Sequence, residues 1–259
     1  MRNFKLILHQ ARYDQKIFWR DPAAVFFTVA FPVILLVIFV TIFGNETTQT
    51  PSGTISTATY YIAGIVALGV ISATFVNLAI SITGARESGL LKRLRSTPLP
   101  NWGFIAGQVV MALVVTALIV IVLVAIGWLV YGVNIPSATA LGVLLSLLIG
   151  AITFATLGIA LTALIPSENA APAITNAIIL PLYFISGVFI PIDQLPKWLS
   201  EIADIFPVSH FAELLRVGFD PTTSGSGLQA THVIALVIWM FIGIMLSAIS
   251  FKWTPRAER

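Results

Sequence analysis

Cysteine is absent from the 259-residue chain, so a disulfide scaffold is excluded. Charge is nearly as scarce: Asp, Glu, Lys and Arg make up 10% of the residues, against roughly 25% in a soluble domain. Between Arg95 and Glu168, 72 consecutive residues carry no charged side chain. No polar stretch is long enough for a soluble domain of useful size. The phosphate-cradling GxxxxGK[ST] loop is missing, so ATP is not bound here in that way, and HExxH and GxSxG are missing as well. His9, His210 and His232 have no neighbouring Ser or carboxylate constellation, so the sequence offers no catalytic residue and no metal site. Nor does any acidic or basic residue sit near the middle of an apolar run, which argues against a proton or ion relay.

What is present is apolar. Hydrophobic residues make up 58% of the chain and mean hydropathy is +0.96, the composition of an all-α polytopic membrane protein. Six runs are long enough to cross a bilayer as helices: 23–43, 60–83, 104–131, 140–165, 171–191 and 232–251. Basic residues mark the cytoplasmic side. Arg2, Lys5, Arg12, Lys16 and Arg20 precede the first run; Arg86, Lys92, Arg93 and Arg95 follow the second; Lys252, Arg256 and Arg259 close the chain. Of the 14 basic residues only Lys197 and Arg216 fall on the other side, so both termini are expected inside. The first run lacks a small-residue cleavage pattern and is expected to remain as a span. Segment 44–59 reads as a Thr/Ser-rich loop, and 131–137 as a tight hairpin.

Three segments outside the runs are informative. In residues 1–22, Lys5, His9, Arg12, Lys16 and Arg20 share one side of a helical wheel, opposite Phe4, Ile7, Leu8, Ala11 and Phe18. That pattern predicts an interfacial helix on the inner surface; simple flanking charge is the other reading. Asp21-Pro22 should break it before the first span. Segment 84–103 carries Leu90, Leu91 and Leu94 on one edge of a short cationic helix that needs a lipid surface or a cytoplasmic protein to pack against. Segment 192–231 has Leu195, Leu199, Ile202 and Phe206 at helical spacing, then Ser209 as a potential cap, then Phe211, Leu214 and Leu215 with Glu213 and Arg216 at i, i+3. Two amphipathic helices follow, either dipping into the outer leaflet under protein cover or lying flat on it. Within the runs Asn77, Asn176, Ser72, Thr74, Thr153 and Thr156 are the polar residues, suited to helix–helix hydrogen bonds or to a substrate path. Glu168 is placed to cap a helix start.

Arg86-Glu87 with Gly89, Leu91, Leu94 and Thr97-Pro98 resembles the ERE-x-GTLE-x-L-x-x-TP loop of type-2 ABC exporter permeases, which include drug, lipid, polysaccharide and Nod-factor export subunits. Ser186-Gly187-Val188-Phe189-Ile190-Pro191, Leu195-Pro196, Trp198-Leu199, Pro207 and Leu215-Arg216 resemble the family's SG-x-FFP…LP-x-WL…P…LR segment. Arg20-Asp21-Pro22, Pro32 and Pro181 are weaker matches. Ala85, Leu90 and Lys92 depart from the usual Glu, Thr and Glu, making the loop more cationic.

The resemblance implies a six-span permease domain over 23–259, with an ATPase-coupling loop (Arg86, Glu87, Gly89, Leu90, Leu91, Leu94, Thr97, Pro98) and a re-entrant outer gate (Phe189, Pro191, Leu195, Trp198, Leu199, Phe206, Phe211, Leu215). It implies outward movement of a drug or lipid-like substrate across the cell membrane. ATP and Mg would be bound by two copies of a separate ATPase subunit, with no cofactor in this chain. A second permease chain and membrane lipid would be its other partners, and no nucleic acid. A polysaccharide or glycolipid cargo, or an ATPase-independent scaffold or lipid-modifying protein, are the alternatives.

Overall fold

The computed structural model describes residues 12–13, 15–43, 47–50, 53–94 and 101–254. Lys5 and His9 of the amphipathic segment, and Thr97 and Pro98, lie outside the described residues. Residues 15–20 are helical, with Arg12, Lys16 and Arg20 exposed. Phe18, expected on the lipid-facing side, is instead buried against Ala73, Met111 and Val115 of the chain itself. Helix α1 (Pro22–Phe43) follows, its direction reset at Asp21. The Asp21 carboxylate accepts from the N–H groups of Ala23 and Ala24 at 3.0 and 3.1 Å, and Pro22 occupies the first helical turn, where no N–H is needed.

The segment expected as a loop at 44–59 holds a two-stranded antiparallel hairpin, β1 (Thr47–Thr50) and β2 (Gly53–Ser56), with Thr48 opposite Ile55. Its Thr-rich composition suits a strand as well as a loop. Ser56 then caps α2 (Thr57–Glu87) by accepting from Thr59 N–H. Helix α2 is the most buried of the long helices and forms the centre of the bundle. It is interrupted by a π-helical turn over Ser72–Val76, where the Thr74 hydroxyl donates back to Val70 O at 2.7 Å.

After α3 (Leu90–Leu94) come α4 (Asn101–Tyr131), α5 (Ala140–Leu161) and α6 (Ala171–Ile185). Two short helices, α7 (Lys197–Ala203) and α8 (Pro207–Phe219), lead to α9 (Ala230–Ser250). Five of these, α1, α2, α4, α5 and α9, are long and apolar enough to cross a membrane. Helix α6 has 15 residues, about 22 Å at 1.5 Å per residue, and stops short of the expected 171–191. The backbone turns at Gly187, whose φ of +78° is open to glycine without strain. The apolar residues beyond it pack as irregular chain, Val188 being fully buried.

Helices α1, α4, α5 and α8 surround α2, and α9 leans on α5 by one edge. Hydroxyls fix that edge: Thr153 Oγ1 donates to Leu236 O at 3.2 Å and Ser247 Oγ to Thr156 O at 3.0 Å. The remaining face of α9, including Ile238, Phe241, Met245 and Ile249, is exposed, as a lipid-facing helix requires.

Candidate functional sites

The first site is the α2–α3 corner. Gly89, at φ +72°, lets the chain reverse between the two helices. Arg86 is 2% exposed and points inward. Its Nε donates to Glu87 Oε1 at 2.6 Å, and its two terminal nitrogens donate to Thr162 O and Ile165 O at 2.6 and 2.7 Å. Those carbonyls lie at and just past the C-terminus of α5, where unpaired acceptors and the negative end of the helix dipole favour a cation. Arg86 therefore fastens the corner to α5. Leu91, expected to pack against a partner, is fully buried against Leu78, Ile82, Phe104, Ala155 and Ile159. With Leu91 seated inside, Lys92 and Arg93 are exposed and Leu90 and Leu94 half-buried. The outer surface of α3 is thus cationic.

Two neighbours complete the corner. Phe251 and Trp253, beyond the last helix, pack into the same cluster, with the Trp253 ring 6.1 Å from Phe104. Glu168 lies across from Gly84, but the hydroxyl of Ser167, rather than the Glu168 carboxylate, accepts from Ala170 N–H at the start of α6. A hydroxyl one residue earlier reaches that N–H, which explains why the expected Glu168 cap is not made.

The second site gathers the opposite ends of α2, α6 and α8. Arg216 is 5% exposed. One terminal nitrogen donates to the Tyr60 hydroxyl at 2.9 Å and to Gly187 O at 2.7 Å; Nε donates to Glu213 Oε2 at 2.9 Å, and the other terminal nitrogen lies 2.7 Å from that oxygen. The Tyr60 hydroxyl also donates to Gly187 O at 2.6 Å, and the guanidinium sits 5.1 Å from the Tyr60 ring centre. One side chain thereby ties α8 to α2 and to the turn that ends α6. The sequence announced the Glu213–Arg216 pairing; Tyr60 and the Gly187 carbonyl carried no mark of it.

Around this clamp the expected gate residues separate into two groups. Phe211 and Leu215 are fully buried, and Phe211 covers Gly150 so closely that a methyl group there would collide with its ring. Phe189 stacks on Phe39 at 5.6 Å, and Pro191 is buried. Along α7, by contrast, Trp198 is 62% exposed and Ile202 is exposed, while Leu195 and Leu199 are half-buried. Only α8 has the protein cover expected of both helices. Ser209 does not cap: its hydroxyl donates to Ala203 O and Phe206 O, closing the α7–α8 turn, because Pro207 already starts the helix. Phe206 stacks on Trp239, whose indole N–H donates to Ile205 O at 3.0 Å.

His210 and His232, expected to be solvated, meet with their Nδ1 atoms 2.8 Å apart, and His210 Nε2 is 2.9 Å from Asp204 O. A carbonyl only accepts, so His210 carries its proton on Nε2; in the neutral pair His232 then donates to His210 Nδ1. Among the polar residues of the long runs, Asn77 is half-buried, its Nδ2 lacking a partner among the described residues, and Asn176 is exposed on α6. No hydrogen bond joins the Asn77 amide nitrogen to Asn176 among the described residues.

The profile of the ABC-2 type transporter family matches residues 6–219. The chain is 27% identical over 156 residues to YbhR of Escherichia coli K12, described as a probable multidrug ABC transporter permease, covering 60% of this chain and 41% of that protein. It is 33% identical over 98 residues to nodulation protein J of Rhizobium leguminosarum bv. viciae, covering 37% of this chain and 36% of that protein. Against the inner membrane transport permease YadH of E. coli K12 it is 23% identical over 224 residues, covering 83% of this chain and 87% of that protein. The chain thus aligns with less than half the length of YbhR and of nodulation protein J. Several helices of crossing length, a fastened basic corner and the family match together make this a multi-pass membrane protein of the ABC-2 type transporter family.

Proposed function

We propose that the chain is the permease subunit of an exporter driven by a separate ATP-hydrolysing protein, moving a drug or lipid-like substrate outward across the cytoplasmic membrane of a bacterium. In this reading α6 crosses as well, making six spans, and both termini are cytoplasmic, in line with the distribution of basic residues. The permease works as a dimer, with itself or a similar chain, and engages two ATPase subunits. The multidrug description of YbhR supports the cargo class.

The observation that carries the reading is the Arg86 link. A helix presenting Lys92 and Arg93 outward, while bonded through Arg86 to the end of α5, passes a push at its surface to the spans. Differential binding of an ATPase to two positions of that corner is the only way the closing force reaches them. Pushing α3 would shift α5 and, through Phe211 on Gly150, the clamped α8.

The test is co-expression with candidate Walker-motif ATPase subunits from the same organism. The wild-type permease should co-purify with one of them and stimulate its hydrolysis. Reversing Lys92 and Arg93 to Glu should reduce co-purification by at least about tenfold while leaving the permease folded and inserted. Equal capture of wild type and the reversed variant would remove the coupling surface from α3, and no capture of either would remove the exporter reading.

A further inference from the structure

A cavity of about 350 Å³ lies between α5, α6 and α9, reaching the gate residue Phe206 at one end but neither arginine clamp. One end is closed by Phe206 and Trp239, stacked on each other; the other reaches Leu246 and Ser250 at the end of α9. From Trp239 to Ser250 the helix rises about 16 Å at 1.5 Å per residue, close to half the roughly 30 Å hydrocarbon thickness of a bilayer. The volume divided by that length leaves a bore the width of one hydrocarbon chain.

The lining offers nothing polar to a ligand. The Trp239 N–H is donated to Ile205 O, and the Ser250 hydroxyl to Leu246 O. All other lining side chains are apolar. Two residues beyond Ser250, which lines the cavity, Lys252 is exposed. An apolar bore one leaflet long, with a cation two residues along the chain from its Ser250 end, suits a phospholipid with its chain inside and its phosphate toward the basic residue.

We propose that this cavity binds a single acyl chain of an anionic phospholipid of the inner leaflet, its phosphate held by Lys252. Binding of the chain rests on the cavity alone; the inner-leaflet assignment rests on the orientation proposed above. The chain's end packs beneath the Phe206–Trp239 stack, so the lipid props the α7–α8 turn from below. Each methylene removed from water contributes about 0.8 kcal/mol, but one coming from bilayer hydrocarbon gains only packing, so selectivity comes from Lys252.

The experiment uses the full chain reconstituted in nanodiscs of palmitoyl-oleoyl phosphatidylglycerol and phosphatidylcholine in equal amounts, then extracted and weighed by native mass spectrometry. Wild type should retain one phospholipid per chain, mostly phosphatidylglycerol. Ala160 lines the cavity, and Ala160→Phe should lower occupancy by at least about tenfold, with circular dichroism checking that the helices persist. Ala160→Leu is the milder variant should the larger ring prevent folding. Lys252→Glu should keep a bound lipid but remove the preference for phosphatidylglycerol. Unchanged occupancy in a folded Ala160→Phe or Ala160→Leu chain would overturn the site, as would a wild-type chain that retains no lipid, leaving a second protein copy as the cover of this face. Orientation is read separately: Lys252→Cys labelled by an impermeant maleimide only from inside supports the leaflet assignment, and labelling from outside overturns it while leaving the occupancy result intact.

Discussion

Two arginines hold the ends of the bundle, Arg86 mainly through two backbone carbonyls and Arg216 through a carboxylate, a hydroxyl and one carbonyl. Arg216 is the more exacting, because its planar fork meets Glu213 on one edge and Tyr60 with Gly187 on the other. Replacing it with Leu leaves the Glu213 carboxylate facing an apolar side chain and takes one donor each from the Tyr60 hydroxyl and Gly187 O, which keeps its bond from Tyr60. Breaking a fully buried pair costs about 3–5 kcal/mol, and with the Glu213 side chain 21% exposed the loss here should fall toward or below the lower end. Arg216→Leu should therefore lower the unfolding midpoint in detergent substantially. Arg216→Lys, with a single ammonium that cannot reach both edges, should recover only part of the loss. Midpoints equal to wild type for both would show that α8 is held by packing alone. The backbone acceptors of the two arginines were not legible in the sequence, since Thr162, Ile165 and Gly187 contribute carbonyl groups that every residue has. What the sequence did show was the positions of the charges and the i, i+3 spacing of Glu213 and Arg216.

Among the elements, α3 shows where pattern reading stops. Leu90, Leu91 and Leu94 make an apolar edge, but periodicity does not say whether that edge meets a partner or the chain's own core. The structure answers with Leu91 at zero exposure among Leu78, Ile82, Phe104, Ala155 and Ile159. Truncation to Ala should cost about 2–5 kcal/mol, as for other buried Leu positions, and should loosen α3 from α2. Read by proteolysis or hydrogen exchange, Leu91→Ala should expose α3 well before the spans unfold, whereas Leu90→Ala should not; equal protection in both would contradict the burial. A Leu91→Asp variant that loses an ATPase would thus report an unseated helix rather than a lost contact, which is why Lys92 and Arg93 are the proper probes. The long helices were legible because an unbroken apolar run has few other folds. The end of α6 was not, since Val188, Phe189 and Ile190 are as apolar as the helix they follow, and hydropathy does not register the turn at Gly187. The hairpin at Thr47–Ser56 was hidden for the converse reason, a polar composition shared by loops and strands.

At the scale of the whole molecule, the dimer proposed above must use one of several exposed apolar faces, since α1, α4, α5, α6 and α9 all carry one. Helix α9 shows Ile238, Phe241, Met245 and Ile249 to the outside, all of them content in lipid. Helix α6 shows Ile178, Leu180 and Phe184, but between its apolar positions it also exposes Asn176. Hydrocarbon offers an amide no hydrogen bond, and a transmembrane polar side chain finds its partner on another helix, for about 0.6–2 kcal/mol. For the proposed dimer, the exposed amide is expected to draw α6 rather than α9 into the contact. Because the chain has no cysteine, single-cysteine variants report without background. Asn176→Cys should form a disulfide-linked dimer under mild oxidation in membranes, and Phe241→Cys on α9 should remain monomeric. Asn176→Leu should weaken association by several-fold in a dilution assay. Cross-linking through Phe241→Cys in place of Asn176→Cys would move the contact to α9 and leave Asn176 facing the space between the helices, where an amide could serve a passing substrate instead.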